Sequence, residues 1–233
     1  MIELQFVGTG GAHDVSIGNS SALVEVGGER VLLDCGFTVY PRLAALHKVD
    51  ELDAVVVTHL HDDHVGSLSA LLYHRYFAPG SERLKLYYPD AFADTLLGWL
   101  SYAMQTPEKF CTPVPLSEVN GIDAIDTYGR HFADMPTYGY HFYDGEDSVV
   151  YSGDLADTDY LFGYLEAQGI APRVVYHDVS LYETPVHAHY RAVARYLDRY
   201  SIVGYHHNHT YNPDDNPVPL AGLLPQGVIR LPA

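Results

Sequence analysis

The sequence predicts one α/β domain, and two observations support this fold class. Runs rich in β-branched and aromatic residues alternate along the chain with segments whose apolar residues recur at helical spacing. Polar residues follow several predicted strands directly, and α/β folds place their functional sites at the C-terminal ends of strands. No linker or low-complexity segment divides the 233 residues, so we expect a single domain over 1–233.

In the first half, short apolar runs bounded by glycine, proline or polar residues predict the strands. Gly27 and Gly28 join two of these runs in a hairpin. Leu68, Leu71 and Leu72 stand three and four residues apart, as expected on one face of a helix. The predicted strands cover 2–7, 20–26, 29–36, 53–58 and 84–88, and the predicted helices cover 41–46, 66–76 and 91–104.

The second half shows the same alternation. The sequence DGED predicts a turn over 144–147, and Gly169 ends a predicted helix. The tail from Pro213 is rich in proline and glycine, and we expect it to lie along the surface. The predicted strands cover 126–131, 138–142, 148–154, 173–177 and 201–205, and the predicted helices cover 159–168 and 186–200.

Composition excludes several classes of function. The net charge is −17, from 13 basic and 30 acidic residues, so we do not expect the chain to hold a long nucleic acid by its phosphates. Two cysteines, Cys35 and Cys111, are too few for a disulfide framework or a cysteine-rich zinc module. We see neither a signal peptide nor an apolar stretch of membrane-spanning length, and therefore expect a cytoplasmic protein with no membrane partner.

A dense polar cluster follows the apolar run 55–57. His59, His61, Asp63 and His64 fall within six residues. Imidazole and carboxylate are the groups that borderline divalent metals such as zinc prefer. The spacing therefore predicts a metal site. A solvated polar loop is the alternative explanation.

One short loop cannot surround an ion, so other ligands must come from elsewhere in the chain. The candidates lie at the ends of predicted strands: His131, Asp154 in YSGD, and His206 after SIVGY. His207 and His209 are alternatives to His206, but they lie farther past the strand end.

Several motifs, taken together, resemble the metallo-β-lactamase-fold hydrolases and, among them, the ribonuclease Z-like phosphodiesterases. The resemblance follows chain order over nearly the whole sequence, and its signature is THLHDDHVG. Its other motifs are FVGTGGA (6–12), LLDCG (32–36), YGY (138–140), YSGD (151–154), HDVS (177–180), the segment from His187 to Ala192, and His206 with Tyr211.

The resemblance implies an αββα sandwich of two mixed β-sheets flanked by helices, with two divalent metal ions at its edge. One ion would be bound by His59, His61 and His131, and the other by Asp63, His64 and His206. Asp154 would bridge the two ions, and Asp34 would orient a ligand histidine. Zinc suits these ligands best, and manganese or iron(II) also tolerate them. Dimers are common among such proteins, so we expect a homodimer.

The resemblance also implies a proton donor. His187 matches the histidine that assists the phosphate in ribonuclease Z-like enzymes, and Asp178 stands where the family has a glutamate that holds this histidine. Asp63, a metal ligand in the signature loop, would complete the catalytic set. A competing alignment places His189 in the role of His187.

Differences between this sequence and ribonuclease Z restrict the class of substrate that we expect. We find no long Gly/Pro- and Lys-rich arm of the kind that grips tRNA, and the chain is strongly acidic. These features favour a small anionic phosphodiester substrate, a cyclic nucleotide, hydrolysed by a hydroxide between two metals. Phage and bacterial cyclic-nucleotide phosphodiesterases of the anti-Pycsar type, which quench cyclic-nucleotide immune signalling, share this motif set.

Other functions remain open at this point. A tRNA 3′-processing endonuclease, a lactonase and a thioesterase could use the same fold, because one fold hosts many reactions. A non-catalytic metal-binding carrier or sensor is the alternative from a different class.

Overall fold

Two mixed β-sheets pack face to face in the computed structural model, which describes residues 1–225 and 227–229. The other residues of the predicted domain, 226 and 230–233, lie outside the described residues. The first sheet has the strand order β1-β2-β3-β4-β5-β6; its first three strands are antiparallel and the others run parallel. These strands are β1 (Leu4–Gly8), β2 (Ser21–Val26), β3 (Glu29–Leu33), β4 (Ala54–Val56), β5 (Lys85–Tyr88) and β6 (Thr112–Pro115).

The second sheet contains the five later strands in the order β11-β10-β9-β8-β7. The three strands from β9 to β11 are parallel to one another, whereas β8 pairs antiparallel with both β7 and β9. Their bounds are β7 (Ile122–Asp126), β8 (Tyr138–Asp144), β9 (Asp147–Tyr151), β10 (Val174–Asp178) and β11 (Ile202–Tyr205).

Alternating side chains of the second sheet belong to two separate hydrophobic clusters. Val149 and Tyr151 of β9 point into the core shared with the first sheet, where Phe6 packs against Tyr205. Val150, between them in sequence, points to the opposite face and packs in the second cluster. This period of two places one face of the sheet against its partner sheet and the other against helices.

Helices flank both sheets. Those associated with the first sheet are α1 (Val39–Ala45), the single turn α2 (Asp62–Val65), α3 (Leu68–Phe77) and α4 (Ala93–Met104). The second sheet carries α5 (Thr158–Gln168) and α6 (Tyr190–Ala194) on its outer face. Within residues 1–225 and 227–229, no helix is long and apolar enough to cross a membrane; the longest, α4, has 12 residues.

Three elements differ from the sequence prediction. The predicted strand over 126–131 is wrong, because β7 ends at Asp126 and Gly129 then turns the chain with a φ of +72°. The predicted helix over 186–200 shortens to α6, because the chain bends over 185–187, His189 is extended and pairs with Ser180, and 195–199 form turns. The strand β6 was not predicted, since it contains two prolines. Proline is tolerated there because β6 lies at the edge of its sheet.

Candidate metal centre

The side chains predicted to bind metal come from four loops that meet at one edge of the sandwich. The loop after β4 and the helical turn α2 carry His59, His61, Asp63 and His64. The other three residues follow β7, β9 and β11 and are His131, Asp154 and His206. Their ligand atoms form two groups, in each of which the atoms lie within 4.8 Å of one another.

The first group consists of His59, His61, His131 and Asp154. Nδ1 of His61 lies 2.9 Å from Nε2 of His59 and 3.1 Å from Nε2 of His131. Oδ2 of Asp154 is 3.9 Å from Nε2 of His59 and 3.8 Å from Nε2 of His131. Three imidazole nitrogens and one carboxylate oxygen therefore converge on one small volume.

The second group consists of Asp63, His64, His206 and, again, Asp154. Nε2 of His206 lies 3.2 Å from Oδ2 of Asp63 and 3.4 Å from Oδ2 of Asp154. Nε2 of His64 lies 3.4 Å and 3.3 Å from the same two oxygens. Oδ2 of Asp154 thus faces both groups, the position that a carboxylate shared by two ions requires.

These residues fit divalent metal ions. Nε2 of His64 and Oδ1 of Asp154 are buried without a hydrogen-bond partner among the described residues, a costly arrangement for polar atoms that have no ligand. Ligands at roughly 2.0–2.2 Å from one ion lie about 3 Å from each other, close to the separations in both groups. Imidazole with carboxylate is a donor set for zinc, manganese or iron.

Electrostatics favours a cation in the same place. Burial lowers the pKa of His59, His61 and His131, which keeps these rings neutral with lone pairs available. Burial opposes ionisation of Asp63, but hydrogen bonds from His206 and His64 outweigh it and lower the pKa of that carboxyl. The charges of the same two histidines likewise outweigh burial at Asp154 and lower its pKa.

Three of the histidines predicted to bind metal are oriented by contacts at their Nδ1 atoms. Nδ1 of His64 lies 2.8 Å from Oδ2 of Asp34, and the other oxygen of Asp34 accepts the backbone N–H of Thr58 at 2.7 Å. The Thr58 hydroxyl lies 3.0 Å from Nδ1 of His59. Nδ1 of His131 donates to the carbonyl of Val186 at 2.7 Å. Such contacts fix the ring orientation of metal ligands and raise their basicity.

Backbone conformation also marks this edge. Asp34 and His206 adopt positive φ values of 58° and 65°, in the left-handed region that costs a non-glycine residue energy. Strain of this kind persists where surrounding contacts hold it, and both side chains make such contacts here. Both turns bring a side chain into the site.

His187 lies beside the two ligand groups. Its Nδ1 is 2.8 Å from Oδ2 of Asp178 and 3.8 Å from Oδ2 of Asp154. Oδ2 of Asp178 also accepts the backbone N–H of Leu155 at 3.0 Å, which fixes the carboxylate. Burial opposes protonation of His187, but Asp178 outweighs it and raises the pKa of His187 to about 9. The Asp178 carboxylate thus favours the protonated form of the imidazole.

The alternative histidines point elsewhere. His189 stands directly before α6, with Nδ1 3.9 Å from Glu183. His207 lines a small separate pocket with Thr9. Nδ1 of His209 lies 2.6 Å from Oδ2 of Asp14. None of these three histidines belongs to the two ligand groups or contacts Asp178 in the described part of the chain.

Five residues of the two groups lie at the floor of an open cavity of about 640 Å³: His61, Asp63, His131, Asp154 and His206. Two aromatic residues that line this cavity were not predicted from the sequence. They are Phe132, next to His131, and Tyr182, on the loop that leads to His187. The only sequence signal for them was an aromatic residue close to a candidate ligand. The role of Thr58 was also missed, although it directly precedes His59.

A structural neighbour identifies the fold. The structure of YhfI from Bacillus subtilis, described as a metallo-β-lactamase fold protein, matches with a TM-score of 0.74 at 18% identity and covers 94% of this chain and 95% of that one. The predicted αββα sandwich is thereby confirmed. The chain therefore has the metallo-β-lactamase fold, and at one edge of that fold it carries two groups of residues that could each hold a metal ion.

The family follows from the sequence comparison. The chain is 30% identical over 221 residues to the anti-Pycsar protein Apyc1 of Bacillus phage 010DV004, with 84% of each chain covered. It is also 30% identical over 177 residues to ribonuclease Z of Mycolicibacterium gilvum, covering 66% of this chain and 62% of that protein. The model of the family described as anti-Pycsar protein Apyc1 matches residues 2–229, and the chain belongs to this family.

Proposed function

We propose that this protein hydrolyses a small phosphodiester, a cyclic mononucleotide, and uses two divalent metal ions to do so. The observation that carries the proposal is the pair of ligand groups that share Oδ2 of Asp154 on the floor of one cavity. The resemblance to phosphodiesterases that quench cyclic-nucleotide signalling supports the substrate class.

In this proposal His59, His61 and His131 hold one ion, and Asp63, His64 and His206 hold the other. Asp154 lies between them, and Asp34 orients His64. Ions held there would make water a stronger nucleophile by lowering its pKa toward about 7, and would stabilise negative charge on the phosphoryl group. The donor set favours zinc, with manganese and iron(II) as alternatives.

His187 is the proposed proton donor, and Asp178 holds it in place. Because Nδ1 of His187 faces Asp178 at 2.8 Å, Nε2 is the nitrogen free to meet substrate. In the protonated ring that Asp178 favours, Nε2 carries a proton that it can give to the departing ribose oxygen as the P–O bond breaks. The same charge stabilises the developing negative charge on the phosphoryl group.

The charges around the cavity support a small substrate. Among the described residues that line it, four are aspartates and none is lysine or arginine; the aspartates are Asp14, Asp62, Asp63 and Asp154. A nucleic acid chain needs cationic side chains along its phosphates, and its additional phosphates would meet carboxylates here. A cyclic mononucleotide carries a single phosphodiester charge, which metal ions and His187 can neutralise.

The test is a substrate screen of the metal-loaded enzyme. We expect 5′-nucleotide release from cyclic mononucleotides with zinc or manganese, and loss of that activity in Asp154→Ala. Bis(p-nitrophenyl) phosphate, lactones, thioesters and a tRNA precursor complete the panel. Preferred turnover of lactones, thioesters or the tRNA precursor would support a different hydrolase. Absence of turnover throughout the panel, in a protein that binds metal, would support the carrier or sensor.

We also expect a homodimer that acts in the cytoplasm. Tyr102 on α4 and Phe77 at the end of α3 are 94% and 70% exposed, and apolar surface of this kind suits a subunit contact. Both cysteines are free thiols, as is usual in a reducing compartment. Light scattering coupled to size exclusion measures the mass, and a mass of one chain would contradict the dimer.

A further inference from the structure

Two aromatic rings line the cavity and remain largely exposed. Phe132 is 47% exposed and Tyr182 is 51% exposed, although both could gain free energy by burial. They belong to different loops: Phe132 follows β7 and Tyr182 follows β10. Exposed aromatic rings inside a cavity are typical of sites that bind a flat, partly apolar group.

The ring of Tyr182 is held in place from one side. Tyr211 stacks against it, with ring centroids 4.8 Å apart and an interplanar angle of 24°. The loop is fixed as well, because the Ser180 hydroxyl accepts the backbone N–H of Tyr182 at 3.2 Å and donates to its carbonyl at 2.6 Å. Tyr182 has no second aromatic partner among the described residues, and about half of the residue stays exposed where it lines the cavity.

The ring of Phe132 makes different contacts from that of Tyr182. Its ring stands edge-on to His61 and to His131, at angles of 89° and 90° with centroids 5.2 and 4.8 Å apart. Phe132 therefore packs against the proposed metal ligands and supports them. Tyr182 makes no such contact, and its exposed ring is the one available for stacking.

The remaining lining of the cavity agrees with stacking as the main source of affinity for a base. Thr184 and Asn208 are uncharged polar side chains in its lining that can bond to a base, whereas the hydroxyl of Ser180 is already engaged by the backbone of Tyr182. Every nucleobase has a π-face, so a single aromatic ring accepts purines and pyrimidines alike.

On these grounds we propose that Tyr182, backed by Tyr211, is the platform on which the base of the cyclic nucleotide stacks. This inference rests on the proposed function, since it assigns a base subsite to the cavity that contains the ligand groups. It implies that the enzyme discriminates weakly among bases and gains affinity from stacking.

The test compares Tyr182→Leu and Tyr182→Phe with the unmodified protein on two substrates. One is cyclic AMP, and the other is a base-free ribose cyclic phosphate followed by phosphorus NMR. Stacking on one base is worth enough that Tyr182→Leu should raise KM for cyclic AMP about 10-fold or more, with kcat little changed. Tyr182→Phe keeps the ring and should keep KM. The base-free substrate should respond to neither change.

The matched control is Tyr164→Leu, at a partly exposed tyrosine on α5 outside the cavity, which should change the turnover of neither substrate. Metal content and thermal unfolding of Tyr182→Leu should equal those of the unmodified protein. An unchanged KM for cyclic AMP in Tyr182→Leu, or equal losses on both substrates, would overturn the platform while leaving the phosphodiesterase intact. An unmodified protein that turns over neither substrate would instead overturn the proposed function, and the platform with it.

Discussion

Nδ1 of His64 lies 2.8 Å from Oδ2 of Asp34, and both side chains are fully buried. Asp34 follows β3 in sequence, and His64 lies on α2 after β4, so the contact joins two neighbouring parallel strands at their C-terminal ends. The same carboxylate accepts the N–H of Thr58, whose hydroxyl reaches His59. Asp34 therefore connects a ligand histidine of each proposed metal position.

This connection predicts that Asp34→Asn weakens metal binding. An amide in place of the carboxylate removes the anion that holds His64. If the amide NH₂ faces Thr58, two donors meet. If the amide oxygen faces Thr58, the NH₂ faces His64, and His64 loses its acceptor. Loss of such a partner typically lowers metal affinity about 10- to 100-fold. Competition with a chromogenic chelator measures the affinity. Asp198→Asn, at an exposed position, is the control, and equal affinities in the two variants would contradict the role of Asp34.

The two adjacent aspartates of the signature loop should respond differently to alanine. Asp63 is buried and bonds to His206 at 3.2 Å, whereas Asp62 is exposed at the cavity rim. Removing a metal ligand should reduce kcat about 100-fold or more, while a surface change of this kind should stay within about 3-fold. Steady-state kinetics of Asp63→Ala and Asp62→Ala on one substrate gives the comparison. Equal losses would show that this division of roles is wrong.

The sequence predicted those features that depend on local pattern. The apolar strand before His59 and the spacing of the signature loop are readable because strand and ligands lie within a few residues. His131 was placed at the end of a strand, but it lies in a loop that is fixed by a bond to Val186, 55 residues away. A distant carbonyl leaves no mark in the sequence near His131, so its surroundings could not be predicted.

The helix predicted over 186–200 is shorter in the structure because a distant part of the chain fixes its start. Apolar spacing over 186–200 favoured a long helix, but Ser180 pairs with His189, and the N–H of Tyr190 reaches the carbonyl of Ser180 at 3.0 Å. This pairing holds His189 in an extended conformation, so the helix begins only at Tyr190. It also places His187 beside Asp178, a contact that a helix beginning at residue 186 would not have predicted.

The two cysteines should be unreactive in the folded protein. Cys35 and Cys111 are fully buried, and burial raises the pKa of each thiol to about 12. A raised pKa means that the thiolate, the reactive form, is nearly absent at pH 8 and becomes abundant only near pH 12. An aromatic disulfide reagent at pH 8 should therefore titrate no thiols in the native protein and two in denaturant. Rapid reaction of either thiol in the native protein would contradict their burial.

Gly36 should tolerate no side chain, because the loop after β3 passes directly over the signature loop. A Cβ atom at Gly36 would lie 1.8 Å from the carbonyl oxygen of Asp63, so alanine must displace the backbone that carries this ligand. Overpacking against backbone lies at the costly end of such substitutions, so Gly36→Ala should lower the free energy of unfolding by about 3 kcal/mol or more. Gly98→Ala is the matched control: it lies in α4 with open space around it, and alanine should stabilise that helix by about 0.5–1 kcal/mol. Denaturant unfolding measures both variants, and metal content should fall only in Gly36→Ala. A Gly36→Ala protein as stable and as metal-rich as Gly98→Ala would show that the two loops are not in the close contact described.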